Sequence, residues 1–144
     1  MNELRQRAVR LLARREHTRA ELTRKLAPHG TLEEIETVLN ELATNGLQSD
    51  ARFAESYLRS QAARFGAARL RQSLRSKGVE SALIESHLAG AELPDETARA
   101  RAIWERKFAT PPTDAHDWAR QARFLQGRGF ATDVIRRLLK NIEE

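Results

Sequence analysis

An all-α fold of three tandem three-helix repeats, each a helix, a short helix and a helix, together forming an elongated, curved body, is predicted by three features of this 144-residue chain. Apolar residues return at three- and four-residue intervals from end to end, which is the spacing of one helix face. Leu26, Leu74 and Leu125 each stand four residues before a glycine (Gly30, Gly78, Gly129), and Ile35, Leu83 and Val134 each stand five after it. Those glycines lie 48 and 51 residues apart, so a unit of helical hairpins recurs. Alanine supplies 22 of the apolar residues. The remaining large side chains are too few for one thick core and suit small helices packed in series.

The elements follow in order. Leu4, Ala8, Leu11 and Leu12 form the apolar stripe of a first helix whose arginines (Arg5, Arg7, Arg10, Arg14) lie mostly elsewhere on the wheel, and which ends near His17. Thr18 with Glu21 reads as a capping box opening a short helix. Pro28, lacking an N–H, and Gly30, accepting a left-handed conformation, close it. Thr31 with Glu34 is a second capping box, followed by the face Ile35, Val38, Leu39 and Leu42, and Asn45 and Gly46 stop that helix. Asp50 caps a helix carrying Phe53, Ala54, Tyr57 and Leu58. Gly66 interrupts, Leu70 and Leu74 mark a short helix over 67–77, Gly78 ends it, and Leu83, Ile84 and Leu88 mark the next. AGAELPD, residues 89–95, reads as a hinge. In the last unit Ile103, Trp104 and Phe108 belong to a helix, and ATPPTDAHD is a loop that breaks near Pro111. Modules of 1–47, 48–92 and 93–144 result. Each is near the lower limit for independent folding and needs a neighbour. Small-angle scattering is expected to give a radius of gyration above the roughly 15 Å of a compact chain this long.

Composition excludes much. The chain has no Cys, so it offers neither disulfides nor thiolate chemistry. His17, His29, His87 and His116 are scattered without metal-ligand spacing, and no phosphate loop, nucleophile elbow or dinucleotide fingerprint occurs. Glu33, Glu34 and Glu36 complement the dipole of a first helical turn. No enzyme activity, catalytic residue, metal or cofactor is therefore expected. The N-terminus lacks an apolar signal segment and no stretch approaches membrane-spanning length, which predicts a cytoplasmic protein without a membrane partner.

The net charge is +5, and 21 of the 25 cations are Arg, whose planar fork suits carboxylates and phosphates. Lys and Arg exceed Asp and Glu by three within 48–90 and by one on either side. Arg59, Arg64, Arg69, Arg71, Arg75 and Lys77 make six cations over 59–77 without one acid. On a helix, Leu70 and Leu74 face the core and leave Arg69, Arg71, Arg75 and Lys77 pointing largely outward. Solvated helix faces usually alternate sign to gain i, i+4 pairs. This one does not, which favours an anionic partner over a merely solvated face. Arg14, Arg15 and Arg19, Arg24 with Lys25, and Arg120, Arg123, Arg128, Arg136, Arg137 and Lys140 are secondary contacts, with acids near them in sequence. Phe53, Tyr57, Trp104, Phe108, Trp118, Phe124 and Phe130 read as core. Phe65, inside the basic run, is expected to be partly exposed.

Four stretches carry a family resemblance. LLARREHTRAEL (11–22), GLQSDARFAESYLRSQ (46–61), GAARLRQSLRSKGV (66–79) and QARFLQGRGF (121–130) together resemble the RecX regulators of bacterial recombination over essentially the whole chain. RREHTRAEL and the segment Asp50 to Glu55 are the most specific parts. Gln48 and Ser49 stand where the family tends to be more acidic, Ala67 where proline is common, and Ala109 to Pro112 where the link is usually shorter and contains glycine. The resemblance implies a cytoplasmic, non-enzymatic regulator, expected to be a monomer, that seats itself in the groove of the RecA recombinase filament, with single-stranded DNA inside it. There it would restrain strand exchange, ATP turnover and coprotease activity and favour filament loss. The alternative is a helix-turn-helix-like protein binding nucleic acid directly, without strong sequence specificity.

Overall fold

A computed structural model describes residues 2–90 and 93–143. Among the described residues there are nine α-helices and no strand: α1 Asn2–Arg14, α2 Arg19–Leu26, α3 Leu32–Thr44, α4 Asp50–Gln61, α5 Ala67–Ser76, α6 Ser81–Gly90, α7 Glu96–Lys107, α8 Ala115–Gly127 and α9 Thr132–Glu143. The all-α repeat read from the sequence is present. Ala91 and Glu92, in the expected hinge, lie outside the described residues.

By packing, the chain forms two units. One comprises the residues up to Tyr57 together with Leu74–Ala89, the other Leu58–Ser73 together with the residues from Gly90 onward. The first unit is centred on Leu4, Ala8, Leu22, Leu26, Ile35 and Leu39, all buried, where α1, α2 and α3 meet. The second is centred on Ile103, Trp104, Leu125, Phe130, Leu138 and Leu139, where α9 packs on α7 and α8. In the second core Trp104 Nε1 donates to Gln121 Oε1 at 2.7 Å, and Gln121 Nε2 donates to the Thr110 carbonyl, tying down the proline-containing loop.

Local chemistry explains most boundaries. Thr18 and Thr31 both make complete capping boxes: each hydroxyl accepts the N–H three residues on, and Glu21 or Glu34 accepts the threonine's own N–H. Gly78 (φ 90°) and Gly129 (φ 98°) take the left-handed conformation after α5 and α8. Gly30 does not. Its φ of −170° is extended, a conformation any residue adopts; it follows the 3-10 turn over Ala27–His29 that contains Pro28, and a Cβ at 30 would sit 3.1 Å from the Leu4 side chain. Asp50 is likewise not the cap of α4. Ser49 Oγ accepts the Arg52 N–H at 3.1 Å, while Asp50 Oδ1 accepts the Arg19 N–H at 2.8 Å and a bond from Gln48 Nε2 at 2.9 Å.

The α1–α2 link gives the RREHTRAEL stretch its physical meaning. His17 is 1% exposed. Its Nδ1 donates to the Arg15 carbonyl at 3.0 Å and its Nε2 accepts from Lys25 Nζ at 3.2 Å, the pattern of a neutral ring. Burial, with Arg15 and Lys25 nearby, holds its pKa below the ordinary 6.5 despite the carbonyl bond. Because the unfolded chain then takes up the proton first, this contribution to stability is intact above pH 6.5 and is lost as pH falls through the depressed folded value. Melting temperature is expected to decline over that window, and the decline to flatten in His17→Asn. Burial pushes Glu21 up, but the Thr18 N–H and Arg15 outweigh it and leave it below the ordinary carboxylate value, so its own loss of stability falls at lower pH, below 4.5.

Ala109, just past α7, has φ 63°, the left-handed region that disfavours a Cβ. Ala109→Gly is expected to stabilise the protein by about 0.5–1 kcal/mol, the relief of strain exceeding glycine's extra unfolded-state entropy. A rise in the urea midpoint at constant slope is the measurement.

Candidate functional site

The basic run reaches both units. Arg59, Arg64, Arg69 and Arg71 belong to the second unit and Arg75 and Lys77 to the first. In the first, Arg75 is exposed, and Lys77 Nζ lies 5.8 Å from the centre of the Tyr57 ring while its carbonyl accepts the Thr18 hydroxyl.

The second unit holds the denser arrangement, and a backbone crossing builds it. Gly66 N donates to the Arg128 carbonyl at 2.8 Å and Ala68 N to the Gly129 carbonyl at 3.2 Å. This brings the α4–α5 link against the α8–α9 turn at two glycines, and a Cβ on either would collide with the other segment. Phe65, half-buried beside this crossing, has three guanidinium groups around its ring: Arg69 at 4.3 Å, Arg64 at 5.6 Å and Arg128 at 5.7 Å. Carbonyl bonds help fix two of them, from Arg69 Nη1 to Gly127 at 3.0 Å and from Arg128 Nη1 to Arg64 at 3.2 Å. Arg128, which sequence reasoning left apart from the central run, therefore joins Arg64 and Arg69.

Alongside is a hollow of about 350 Å³ lined by Arg64, Arg106, Lys107 and Arg128 over Ile103 and Phe124. Arg106 Nη2 donates to the Ala63 carbonyl at 3.1 Å, and Lys107 Nζ sits 5.5 Å from the Phe124 ring. Sequence reasoning missed Arg106 and Lys107. Their signal is a pair of cations in the last turn of a helix, easily read as dipole complement. Among the described residues no acid lines this hollow. Four cations so gathered repel one another, and an anion bound there would offset the repulsion.

Other named cations are placed differently. Arg15 pairs with Glu21 at 3.4 Å and Arg120 with Asp117 at 2.6 Å. The Arg120 bond and the Thr113 N–H hold the Asp117 carboxyl below its ordinary pKa. Arg19 donates to Asn40 Oδ1 and shares with Arg24 a hollow that also contains Asp50 and Glu80. Arg123, Arg136, Arg137 and Lys140 are exposed on α8 and α9. Arg14 and Lys25 face a separate hollow on α1 and α2. No group of three or more His, Asp or Glu among the described residues could hold a metal ion, and none of these helices is long and apolar enough to cross a membrane.

Family models for the first, second and third three-helix domains of RecX match residues 5–42, 49–88 and 94–139 in turn. The chain belongs to the RecX family. Its relatives include the regulatory protein RecX of Leptothrix cholodnii, 49% identical over 95% of this chain and 87% of that protein. The regulatory protein RecX of Chromobacterium violaceum is 47% identical over 94% and 88%. Crystal structures share the fold: RecX from Lactobacillus salivarius superposes with a TM-score of 0.85 at 19% identity over 99% of this chain and 96% of that one. A second, of a regulatory protein RecX, gives 0.82 at 21% identity over 96% and 72%. The three-domain RecX architecture thus runs along nearly the whole chain, and the guanidinium cluster around Phe65 lies where the second and third matched segments come together.

Proposed function

We propose that this protein binds the filament that RecA recombinase forms on single-stranded DNA and restrains its strand exchange, ATP turnover and coprotease activity, favouring loss of the filament. It acts as a cytoplasmic monomer, without enzyme activity or cofactor, through modules 1–47, 48–92 and 93–144 that each add contacts to the filament. The observation that carries the reading is the succession of three RecX domain matches along this chain, whose relatives are named regulatory protein RecX. The cations around Phe65 and Phe124 supply a grip for acidic protein surface or filament phosphates. Restraint requires tighter binding to one filament state than to another, since equal affinity for both shifts nothing. The preferred state is one poor at strand exchange.

Co-sedimentation with recombinase filaments, bare single-stranded DNA and free recombinase near physiological salt tests this. Retention on filaments well above either control is expected. Equal retention on bare DNA would transfer the reading to direct nucleic-acid binding, with its steep salt dependence. Arg75→Glu, at an exposed position, should weaken filament retention while leaving helicity and melting nearly unchanged, and adding Arg71→Glu should weaken retention further.

A further inference from the structure

Outside the central run, α1 carries Arg7, Arg10 and Arg14 three and four residues apart, so they stack along one side of the helix. With Lys25 of α2 they line a hollow of about 310 Å³ floored by Leu11 and Leu26 and bordered by His29. Among the described residues no acid lines it. Arg7 Nη2 approaches Glu3 only at 3.6 Å, and that carboxylate is 80% exposed. The Nε of Arg7 is buried and has no hydrogen-bond partner. Arg10 Nε reaches the Gln6 carbonyl at 3.3 Å, which leaves its outer nitrogens for another acceptor. Like charges in successive turns destabilise a helix, and a buried N–H without an acceptor is disfavoured. An anion in the hollow would offset the repulsion among these cations, and the solvent-reachable outer nitrogens of Arg10 and Arg14 would meet it.

We propose that this hollow binds the phosphate chain of a nucleoside polyphosphate or of inorganic polyphosphate. Several cations converge on a bounded space at the lower end of the range that holds small ligands, about 300–1,000 Å³. That arrangement matches charge concentrated on adjacent phosphorus atoms better than the single charge of one phosphodiester. Guanidinium forks take phosphate oxygens two at a time, and Leu11 and Leu26 offer an apolar surface to a ribose or base. None of its residues belongs to the central run; Arg14 and Lys25 are also secondary contacts in the filament reading, so the test is made on the protein alone, without recombinase or filament.

The test is calorimetric titration of the full chain at low ionic strength with tripolyphosphate, ATP, AMP and a single-stranded oligonucleotide. Saturable one-to-one binding of tripolyphosphate and ATP is expected, with AMP at least about tenfold weaker. Arg10→Ala with Arg14→Ala, both exposed and so compatible with an unchanged circular dichroism spectrum, should weaken tripolyphosphate and ATP by about tenfold or more. Arg7→Lys, which keeps the charge and loses the guanidinium fork, should weaken them by a smaller factor, whereas Arg75→Ala should leave them unchanged. No saturation at millimolar tripolyphosphate overturns the proposal, as does equal affinity in the double variant or AMP binding as tightly as ATP. An oligonucleotide that depends on these arginines and is not displaced by tripolyphosphate overturns it in favour of a nucleic-acid strand.

Discussion

Gly66→Ala is expected to destabilise the protein by about 3–5 kcal/mol, among the largest effects open to a single methyl group. A Cβ at that position would lie 2.5 Å from the Gly129 carbonyl oxygen, 2.6 Å from its carbon and 2.7 Å from the Phe130 nitrogen. All three are backbone atoms, so no side chain can rotate aside. The two crossing hydrogen bonds, from Gly66 N and Ala68 N, must lengthen to admit the methyl. Overpacking of this kind costs about 1–3 kcal/mol and each lost bond about 1 kcal/mol more. Gly46→Ala is the comparison: its φ is 75° but nothing lies within 4 Å of its Cβ. It should lose only the backbone term, about 1 kcal/mol. Urea unfolding of the two variants separates clash from conformation, and a Gly66→Ala midpoint at or above that of Gly46→Ala would show that the crossing yields easily. Because Arg64, Phe65 and Arg69 hang from this crossing, filament retention should fall with it.

Much of this architecture was legible because it is written in local chemistry. The Thr18–Glu21 and Thr31–Glu34 boxes need only side chains three residues apart, and the leucines before Gly30, Gly78 and Gly129 are all buried as the repeat requires. Where the reading failed, a distant partner decided. Gly30 is extended and not left-handed, and what lies close to it is Leu4, 26 positions earlier, which the local spacing does not show. Asp50 has the chemistry of a cap, yet its carboxylate is engaged by the Arg19 N–H and the cap falls to Ser49. Leu83 holds the repeat position that Ile35 and Val134 hold, but only Ile84 beside it is fully buried.

The candidate site was legible in part for the same reason. A run of cations without acids is visible by inspection, and Phe65 stood out as the aromatic among them. The gathering of Arg128, Arg106 and Lys107 with Arg64 was not, since it depends on the Gly66–Gly129 crossing between segments more than 60 residues apart. Periodicity carries no information about such a meeting. Only the glycines at 66 and 129 hint that backbones approach closely there.

Arg64→Glu with Arg128→Glu is expected to reduce filament affinity by about a hundredfold or more. Both guanidiniums face Phe65 and line the hollow over Phe124, so an anion there meets the two together, half-buried Arg128 beside exposed Arg64. A hydrogen bond to a charged group contributes about 1.5–3 kcal/mol, and reversing the charge adds repulsion to its loss. Two such losses amount to two decades or more, since each decade is about 1.4 kcal/mol. Stability should change much less, because the internal bond forfeited, from Arg128 to the Arg64 carbonyl, is exposed. Arg128→Lys keeps the charge but loses the fork, and an intermediate affinity is expected if the partner is held by paired oxygens. Arg101→Ala, which removes only an exposed pair with Glu105, should leave affinity unchanged. Affinity measured by fluorescence anisotropy at several salt concentrations should also show a shallower salt dependence in the double variant. Binding within a few-fold of the unaltered protein, with the same salt slope, would return these arginines to an ordinary solvated surface held in place by its own carbonyls.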